Sequence, residues 1–337
     1  MSAAPIDSIA ALEAVAGKTP GAMHLKVIDH LDRGALRWLA ASPLMFACFG
    51  DESGLQVTPG GGAPGFASGS RGELLVPASA LDDPSLARPG AAFGSLFLIP
   101  SIGEMLRVNG TVTGVANGLI AVAVQECYGH CAKALIRSSF WQAGSVDSGF
   151  ERAADLVVAS KFMTLATMAD GHADVSPKGD SAGCLAQMDG DTLWFADRPG
   201  NRRMDSFRNL VAHPQVALAL LCPGALQVVL VRGKAELTTD EDMRRRFAVR
   251  EKMPQLAIRV AVEELEFRAS AALERVCPWP PTDAPEGIEP ARLFMEHIRL
   301  NRSGGLTGRI ASAVMAVPGA EGLVKKGLEK DYKSNLY

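Results

Sequence analysis

The chain has 337 residues, of which 47% are hydrophobic and 21% charged, with a net charge of −3 and a pI near 6.1. This composition is that of an ordinary globular protein, and its acidic balance argues against a nucleic-acid partner, which would need a basic face. There is no run of 18 apolar residues and no basic-then-apolar leader, so we expect neither a membrane partner nor a signal peptide. Six cysteines without a CxxC pair predict free thiols and a cytoplasmic location.

The hydrophobic pattern indicates two strand-rich segments between an N-terminal arm and a C-terminal tail. The predicted boundaries are 1–23 for the arm, 24–145 for the first segment, 150–282 for the second, and 283–337 for a linker and helical tail. A cluster of prolines that begins at Pro278 marks the start of the linker.

The first segment begins with apolar residues at helical spacing, which predict a helix over His24–Ala41 that ends before Pro43. A strand is predicted from Leu44 to Phe49, and the glycines between 57 and 72 predict a loop. Further strands are predicted at 73–77, 93–99, 104–113 and 118–128.

The second segment repeats this order of elements. Helices are predicted at 150–160, at 202–212 and after Thr239, where three acidic residues suit the positive end of the helix dipole. Strands are predicted at 162–168, 183–188, 192–196, 215–222, 226–237 and 256–268. In the tail, helices are predicted at 290–300 and 308–330.

The predicted strands are short, rich in valine and leucine, and separated by glycine, proline and aspartate turns. Few helices lie between them, which favours antiparallel sheets closed into small barrels over a parallel doubly wound sheet. The fold class that we predict is therefore mainly β with flanking α, with two tandem barrels and a C-terminal helical tail.

Short motifs recur in the same order in the two segments. The VQE, AL, R and W of the stretch 124–141 are matched 138 residues later by the VEE, AL, R and W of the stretch 262–279. Pro100 and Gly110 match Pro223 and Gly233, and in each pair the glycine follows ten residues after the proline. This fixed order predicts a duplicated chain whose copies pair as an intrachain pseudo-dimer, and it leaves a further homodimer open.

The second copy contains two stretches suited to a phosphate. DVSPKGD (174–180) is predicted to form a turn, and DRPGNRRMDS (197–206) runs from a strand end into a predicted helix. A phosphate dianion binds to guanidinium groups, which donate two hydrogen bonds at once, and to free backbone N–H groups. Arginines provide the first, and a glycine turn before a helix provides the second. The alternative is a solvated basic turn whose arginines pair with Asp197 and Asp205.

The aligned stretch of the first copy, 77–83, contains no arginine and ends in two carboxylates. The serine-lysine stretch is there replaced by TPGGG at 58–62. Because carboxylates beside a phosphate would be repulsive, we expect a single anion site per chain. The first copy in turn keeps HCAKALIRSSFW (130–141), which has diverged in the second.

The motifs DVSPKGD, DRPGNRRMDS and HPQVALALLCPG, together with EMLRVNG and HCAKALIRSSFW, resemble those of the pyridoxamine 5'-phosphate oxidase-like superfamily of FMN-binding split barrels. The resemblance covers roughly residues 24–282. It implies six-stranded split barrels with FMN at a dimer interface, each site built from both subunits. Because the motifs are divided between the copies, it implies one FMN between them, with its phosphate on the second copy and its ring near the first.

The resemblance also implies roles for individual residues. Those assigned to the phosphate and ribityl chain are Ser176, Lys178, Arg198, Arg202 and Arg203, and those that orient them are Asp180 and Asn201. From the first copy, His130, Lys133 and Arg137 would approach the flavin ring or the substrate, with His130 as a proton donor and Lys133 as the second catalytic candidate. Two alternatives stay open: Arg107, a further cofactor-binding candidate, forms a salt bridge instead, and His130 is a structural strand residue.

These inferences lead to an FMN-dependent oxidoreductase that acts on an unidentified small molecule. The alternative is a non-catalytic carrier or sensor of flavin or haem, because split barrels also hold haem and deazaflavin. A haem protein needs an axial ligand, for which His130 is the best candidate. No metal site is expected, since Cys127, His130 and Cys131 lack the further partners that a zinc site needs.

Overall fold

The computed structural model describes residues 6–144, 149–200, 203–301 and 320–337. Within them lie two antiparallel seven-stranded sheets with flanking and C-terminal helices. None of the described helices is both long and apolar enough to cross a membrane.

The two sheets and the helices have the following bounds. The first sheet contains β1 Leu44–Asp51, β2 Gly54–Gly61, β3 Ser68–Ser70, β4 Glu73–Pro77, β5 Ala92–Leu98, β6 Met105–Ala116 and β7 Leu119–His130. The second contains β8 Phe162–Ala169, β9 His172–Gly179, β10 Ala186–Asp189, β11 Thr192–Ala196, β12 Gln215–Leu221, β13 Gln227–Thr238 and β14 Ala257–Ala269. The helices are α1 Ile9–Ala16, α2 Arg33–Ala41, α3 Lys133–Arg137, α4 Ala153–Ala159, α5 Asp205–Ala212, α6 Glu241–Arg246, α7 Ala271–Val276, α8 Pro290–Leu300 and α9 Ala320–Ser334.

The two sheets share one strand order, which confirms the predicted duplication and the mainly β fold. The order is β2-β1-β5-β6-β7-β4-β3 in the first sheet and β9-β8-β12-β13-β14-β11-β10 in the second. Each strand of the first repeat therefore has a counterpart seven strands later. The sheets have seven strands, whereas the resemblance implied six-stranded barrels, because a short edge strand (β3 or β10) extends each one.

The glycines matched between the repeats, Gly110 and Gly233, lie at equivalent bulges of β6 and β13. The strand register shifts directly before each of them. A Cβ added at Gly110 would lie 2.0 Å from the carbonyl oxygen of Ala123, and one at Gly233 would lie 2.1 Å from that of Ala261. Both bulges therefore require glycine, which explains why this spacing recurs in the sequence.

Buried apolar side chains form three cores, one inside each repeat and one between the repeats. The shared core contains Phe46, Phe140 and Phe162, whose rings are in contact, and Trp279 packs against Phe140. Around it β5 packs against β9, and β2 packs against β12, which are equivalent contacts in the duplicated fold. The repeats are thus joined by a continuous apolar interface, which favours a fixed arrangement of the two sheets.

Several predicted elements in the first 80 residues are wrong or incomplete. The helix predicted over 24–41 is confined to α2, because Asp32 accepts a hydrogen bond from the backbone N–H of Ala35 at 2.7 Å and so caps the helix there. The loop predicted over 57–72 contains the end of β2 and all of β3. The N-terminal arm contains α1, whose Leu12 is fully buried in the core of the second repeat.

Two further differences concern the site, and the tail agrees with its prediction in part. The turn predicted for 174–180 is strand β9, which pairs along its length with β8. The short helices α3 and α7 had no predicted counterpart, because five or six residues are too few to show a helical period. In the tail, α8 agrees with the helix predicted at 290–300; of the helix predicted at 308–330, residues 308–319 lie outside the described residues.

Candidate functional site

Strand β9 presents a row of polar side chains at the boundary between the repeats. Asp174, Ser176 and Lys178 alternate along it and therefore point to one face. The strand ends at Gly179, where an added Cβ would lie 1.9 Å from the carbonyl oxygen of Ala134 in α3. Glycine at this position allows the second repeat to touch the first. We call this contact between β9 and α3, with the loop after β11, the cavity junction.

A cavity of about 760 Å³ opens at the cavity junction, which lies within the size range of small-molecule pockets. Its lining contains every predicted site residue that the structure describes, namely Arg107, His130, Lys133, Arg137, Ser176, Lys178, Asp180, Arg198 and Arg203. The fold thus brings together residues of both repeats that are far apart in the chain. The two remaining candidates, Asn201 and Arg202, lie outside the described residues.

Arg198 has the geometry expected of an anion-binding group. Its Nε donates to Oδ2 of Asp180 at 2.5 Å, and the side chains of Arg198 and Asp180 are only 8% and 1% exposed. Its Nη2 is buried and has no hydrogen-bond partner among the described residues. A buried charged donor without an acceptor is costly, and an anionic ligand in the cavity would supply one. Lys178, with Nζ 3.4 Å from Asp197 Oδ1, adds a second cation nearby.

Arg107 connects the two repeats beneath the cavity. Its Nη1 donates to Oδ2 of Asp174 and to the hydroxyl of Tyr128, both at 2.6 Å, and its Nη2 donates to Oγ of Ser176 at 3.0 Å and to the carbonyl of Val175. The side chain is 2% exposed. With these four acceptors, Arg107 is held as a buried inter-repeat ion pair, which favours the salt-bridge alternative over direct ligand binding.

Three cations surround the buried ring of Tyr128. Arg203 lies 4.5 Å from the ring centroid, and Arg107 and Lys26 each lie 5.3 Å from it. Lys26 Nζ also donates to the carbonyl of Gly129 at 2.8 Å, and burial lowers the pKa of Lys26 to about 8. This cluster contains cations of both repeats, and cation–π contacts offset part of their mutual repulsion.

His130 and Lys133, the two predicted catalytic residues, both line the cavity. Burial, followed by the charges of Arg107 and Lys26, holds the pKa of His130 well below its ordinary value. The imidazole is therefore neutral at pH 7, so it offers a neutral N–H rather than the acidic proton that the sequence suggested. Lys133 is buried, and its Nζ lies 2.9 Å from Oδ2 of Asp331 in α9.

Sequence reasoning missed the contribution of the C-terminal tail to this site. Tyr337 lines the cavity, and its hydroxyl donates to Oδ1 of Asp180 at 3.1 Å. Burial and then the neighbouring Asp180 raise the pKa of Tyr337 to about 12, so the hydroxyl keeps its proton. Lys252 Nζ donates to the carbonyl of Tyr337 at 2.9 Å. No motif marked Tyr337 or Lys252, because their significance depends on where the tail folds.

The duplicated fold produces a counterpart junction, where β2 of the first repeat meets α7 of the second. Arg275 Nη1 donates there to the carbonyls of Gly61 at 2.7 Å and Ala80 at 3.2 Å. Asp82 is buried, and its Oδ1 accepts the backbone N–H of Ala272 at 2.7 Å. At this junction a carboxylate of the first repeat therefore accepts a hydrogen bond from the second repeat.

The residues that form the second-repeat side of the cavity lie within a recognised family. Residues 150–274 match the family model described as pyridoxamine 5'-phosphate oxidase. The second repeat is therefore similar to this family over most of its length. The matched range includes β9 and Arg198, and it does not extend into the first repeat. The first repeat shares the strand order of this matched repeat.

Solved structures similar to this chain each match about one third of it. HupZ of Group A Streptococcus is 18% identical with a TM-score of 0.30, over 36% of this chain and 96% of that chain. A putative pyridoxamine 5'-phosphate oxidase from Lactobacillus delbrueckii is 19% identical with a TM-score of 0.28, over 37% and 99%. An F420 reductase is 21% identical with a TM-score of 0.27, over 36% and 98%. No curated protein sequence matches the chain.

Proposed function

We propose that the chain binds one FMN at the cavity junction and acts as a flavin-dependent oxidoreductase on a small molecule. The observation that carries this proposal is the buried Nη2 of Arg198, which lines a cavity of about 760 Å³ and has no acceptor among the described residues. The match of the second repeat to the pyridoxamine 5'-phosphate oxidase family model supports a flavin phosphate as the anion.

The two repeats would hold different parts of the cofactor. Arg198 and Lys178 would bind the phosphate, with Asp180 holding the Arg198 guanidinium in orientation through its 2.5 Å hydrogen bond. From the first repeat, His130 and Arg137 would face the ring system. When bound, FMN supplies the transfer of electrons to or from the substrate. The neutral imidazole of His130 then donates or accepts a hydrogen bond without adding charge to the cavity.

The proposal predicts one flavin per chain. At the counterpart junction, Ser79 and Gly60 stand where the cavity junction has Arg198 and Lys178, and the carboxylate of Asp82 is buried there. An anionic cofactor would find neither of these two cations there, and Arg268, a cation of this junction, is already paired with Asp82 at 3.8 Å. The asymmetry of charge therefore limits the binding to one junction.

Absorbance and titration test the proposal directly. The purified chain should show flavin bands, and FMN should bind the flavin-free chain at one equivalent. Riboflavin, which lacks the phosphate, should bind at least about tenfold more weakly, as expected for the loss of a charge-assisted contact. Equal affinity for both, or two equivalents per chain, would contradict the site as described. Photoreduction followed by reoxidation with oxygen or a nicotinamide would show redox activity.

One observation favours a second candidate, a non-catalytic haem carrier or sensor. His130 lies at the cavity wall with its pKa held low by burial, and a neutral imidazole is the form that ligates iron. A Soret band in the purified protein that is lost in His130→Ala would identify haem. Flavin bands that persist in the same variant would instead support the first proposal.

A further inference from the structure

The end of the tail is attached to the first repeat on either side of α3. Asp331 Oδ2 lies 2.9 Å from Lys133 Nζ, and the hydroxyl of Tyr332 donates to Oε1 of Glu104 at 2.9 Å. Further along, Arg137 Nε donates to the carbonyl of Leu336 at 2.6 Å. These contacts guide the chain from α9 across the mouth of the cavity to Tyr337.

Tyr337 is placed among the cations of both repeats. Its ring centroid lies 5.6 Å from the guanidinium carbon of Arg137, 5.7 Å from that of Arg198 and 5.8 Å from that of Arg250. All three distances are within the range of cation–π interactions. The hydroxyl bonds to Asp180, which is also the partner of Arg198. The side chain of Tyr337 thus contacts Arg198 of the second repeat and Arg137 of the first.

This arrangement leaves room and hydrogen-bonding capacity for a ligand. A guanidinium that interacts with a ring through its face keeps its in-plane N–H groups available for an anion. Arg198 shows this, since its Nη2 has no acceptor among the described residues while Tyr337 is in place. The cavity of about 760 Å³ also exists with Tyr337 as part of its lining. The tail is therefore a wall of the pocket, compatible with a ligand inside it.

We propose that Tyr337 is a positioning residue for the ligand pocket, and that the segment Asp331–Tyr337 closes over a bound ligand and must be released for the ligand to exchange. Tyr337 acts through Asp180, Arg198 and Arg137, which it holds in orientation. This inference rests on the proposed binding of FMN at the cavity junction. The contacts of this segment include hydrogen bonds, cation–π contacts of Tyr337 and an ion pair of Asp331, whose side chain is 44% exposed, so that water competes for this pair.

FMN dissociation from the full chain tests this inference. We expect Tyr337→Ala to release FMN about tenfold faster than the wild type, because the cation–π contacts and the bond to Asp180 are lost. Tyr337→Phe keeps the ring and should stay within about threefold of the wild type. Lys333→Ala changes an exposed residue of the same tail and serves as the matched control, with no change expected. Stopped-flow flavin fluorescence measures all four rates.

Hydrogen exchange of the segment 328–337 gives a second readout. If the tail closes over the ligand, FMN should slow the exchange of this segment in the wild type, and less so in Tyr337→Ala. Unchanged FMN dissociation from Tyr337→Ala, or faster exchange of the tail when FMN binds, would overturn this inference. Neither result would contradict the proposed function. A wild-type chain that does not bind FMN would overturn the proposed function and, with it, this inference.

Discussion

The cavity junction and the counterpart junction are built on the same backbone arrangement. At one, Gly179 ends β9 against α3; at the other, Gly61 ends β2, where an added Cβ would lie 2.5 Å from Cγ2 of Val276 in α7. The hydrogen bond of Arg137 to the carbonyl of Pro199 is matched by the bond of Arg275 to that of Ala80. These contacts occupy equivalent places in the strand order, so packing alone does not distinguish the two junctions.

The junctions differ in the charged side chains that the shared backbone carries. In each pair the first residue belongs to the cavity junction and the second to its counterpart: Arg107 and Leu230, Asp174 and Gln56, Lys178 and Gly60, Arg198 and Ser79, His130 and Arg268. The counterpart junction adds a carboxylate of its own, Asp82, bonded to α7. The comparison teaches that one backbone arrangement carries a cavity lined by cations or a structural contact, depending on a few substitutions.

The largest change in stability is expected when the buried ion pair of Arg107 and Asp174 is replaced by the residues of the counterpart junction. Arg107→Leu leaves Asp174 buried without its 2.6 Å partner, so we expect a loss of about 3–5 kcal/mol in the free energy of unfolding. The double variant Arg107→Leu with Asp174→Gln, which reproduces the counterpart junction, should recover most of this loss. Urea unfolding of the flavin-free chain measures both.

The control for this exchange is Gln56→Ala at the counterpart junction, for which we expect a change within about 0.5 kcal/mol. A double variant as unstable as Arg107→Leu would show that the packing around Arg107, rather than the charge of Asp174, distinguishes the junctions.

Ligand binding provides the next test of the comparison. Arg198→Ala removes the buried donor that the proposed phosphate would satisfy, so FMN affinity should fall by about 1.5–3 kcal/mol, or at least about tenfold. Ser79→Ala at the equivalent place should leave the affinity unchanged. Fluorescence titration measures both variants, and similar losses from the two would refute the single-site assignment.

A smaller effect is expected at Asp82, in stability rather than binding. Asp82→Ala leaves the backbone N–H of Ala272 without its 2.7 Å acceptor, and we expect a loss of about 1–2 kcal/mol in the free energy of unfolding. FMN affinity should not change, because the carboxylate lies at the other junction. Thermal unfolding together with a flavin titration separates these readouts; a gain in stability would mean that Asp82 is not a structural contact.

The smallest effect concerns acid stability. Because the folded-state pKa of His130 lies below its unfolded value near 6.5, the unfolded chain binds the extra proton first. Stability should therefore fall as the pH drops below about 6.5, by at most about 1.4 kcal/mol per pH unit. His130→Gln should flatten this dependence between about pH 5 and 6.5, whereas His213→Gln, at an exposed position, should not. An unchanged slope in His130→Gln would show that other groups cause the pH dependence.

The sequence was sufficient to predict features that depend on local spacing. Gly110 and Gly233 were matched by their distance from a proline, and the structure explains the match, since both bulges exclude a Cβ. The convergence of Lys178 and Arg198 with residues of the first repeat on one cavity was expected from the resemblance, which rests on motifs that are each contiguous in the sequence. Such features could be predicted because the physical constraint and the sequence signal occupy the same few residues.

The features that could not be predicted depend on residues distant in the chain. The glycines of β2 indicated a loop, yet Gly61 is required by the neighbouring Val276, more than 200 residues later. For Arg107 the sequence did not decide between cofactor binding and a salt bridge, because its partner Asp174 belongs to the other repeat. The place of Tyr337 beside Asp180 follows only from the folded path of the tail.

The shared core around Phe46 and Phe162 has a consequence for how such a protein can vary. In an assembly of two identical subunits every substitution appears twice, so a residue that blocks one pocket blocks both. When the two halves are covalently fused, Asp82 can occupy one side while Arg198 stays on the other. The tail, present once per polypeptide, can likewise serve a single pocket, which a symmetric pair of subunits could not arrange.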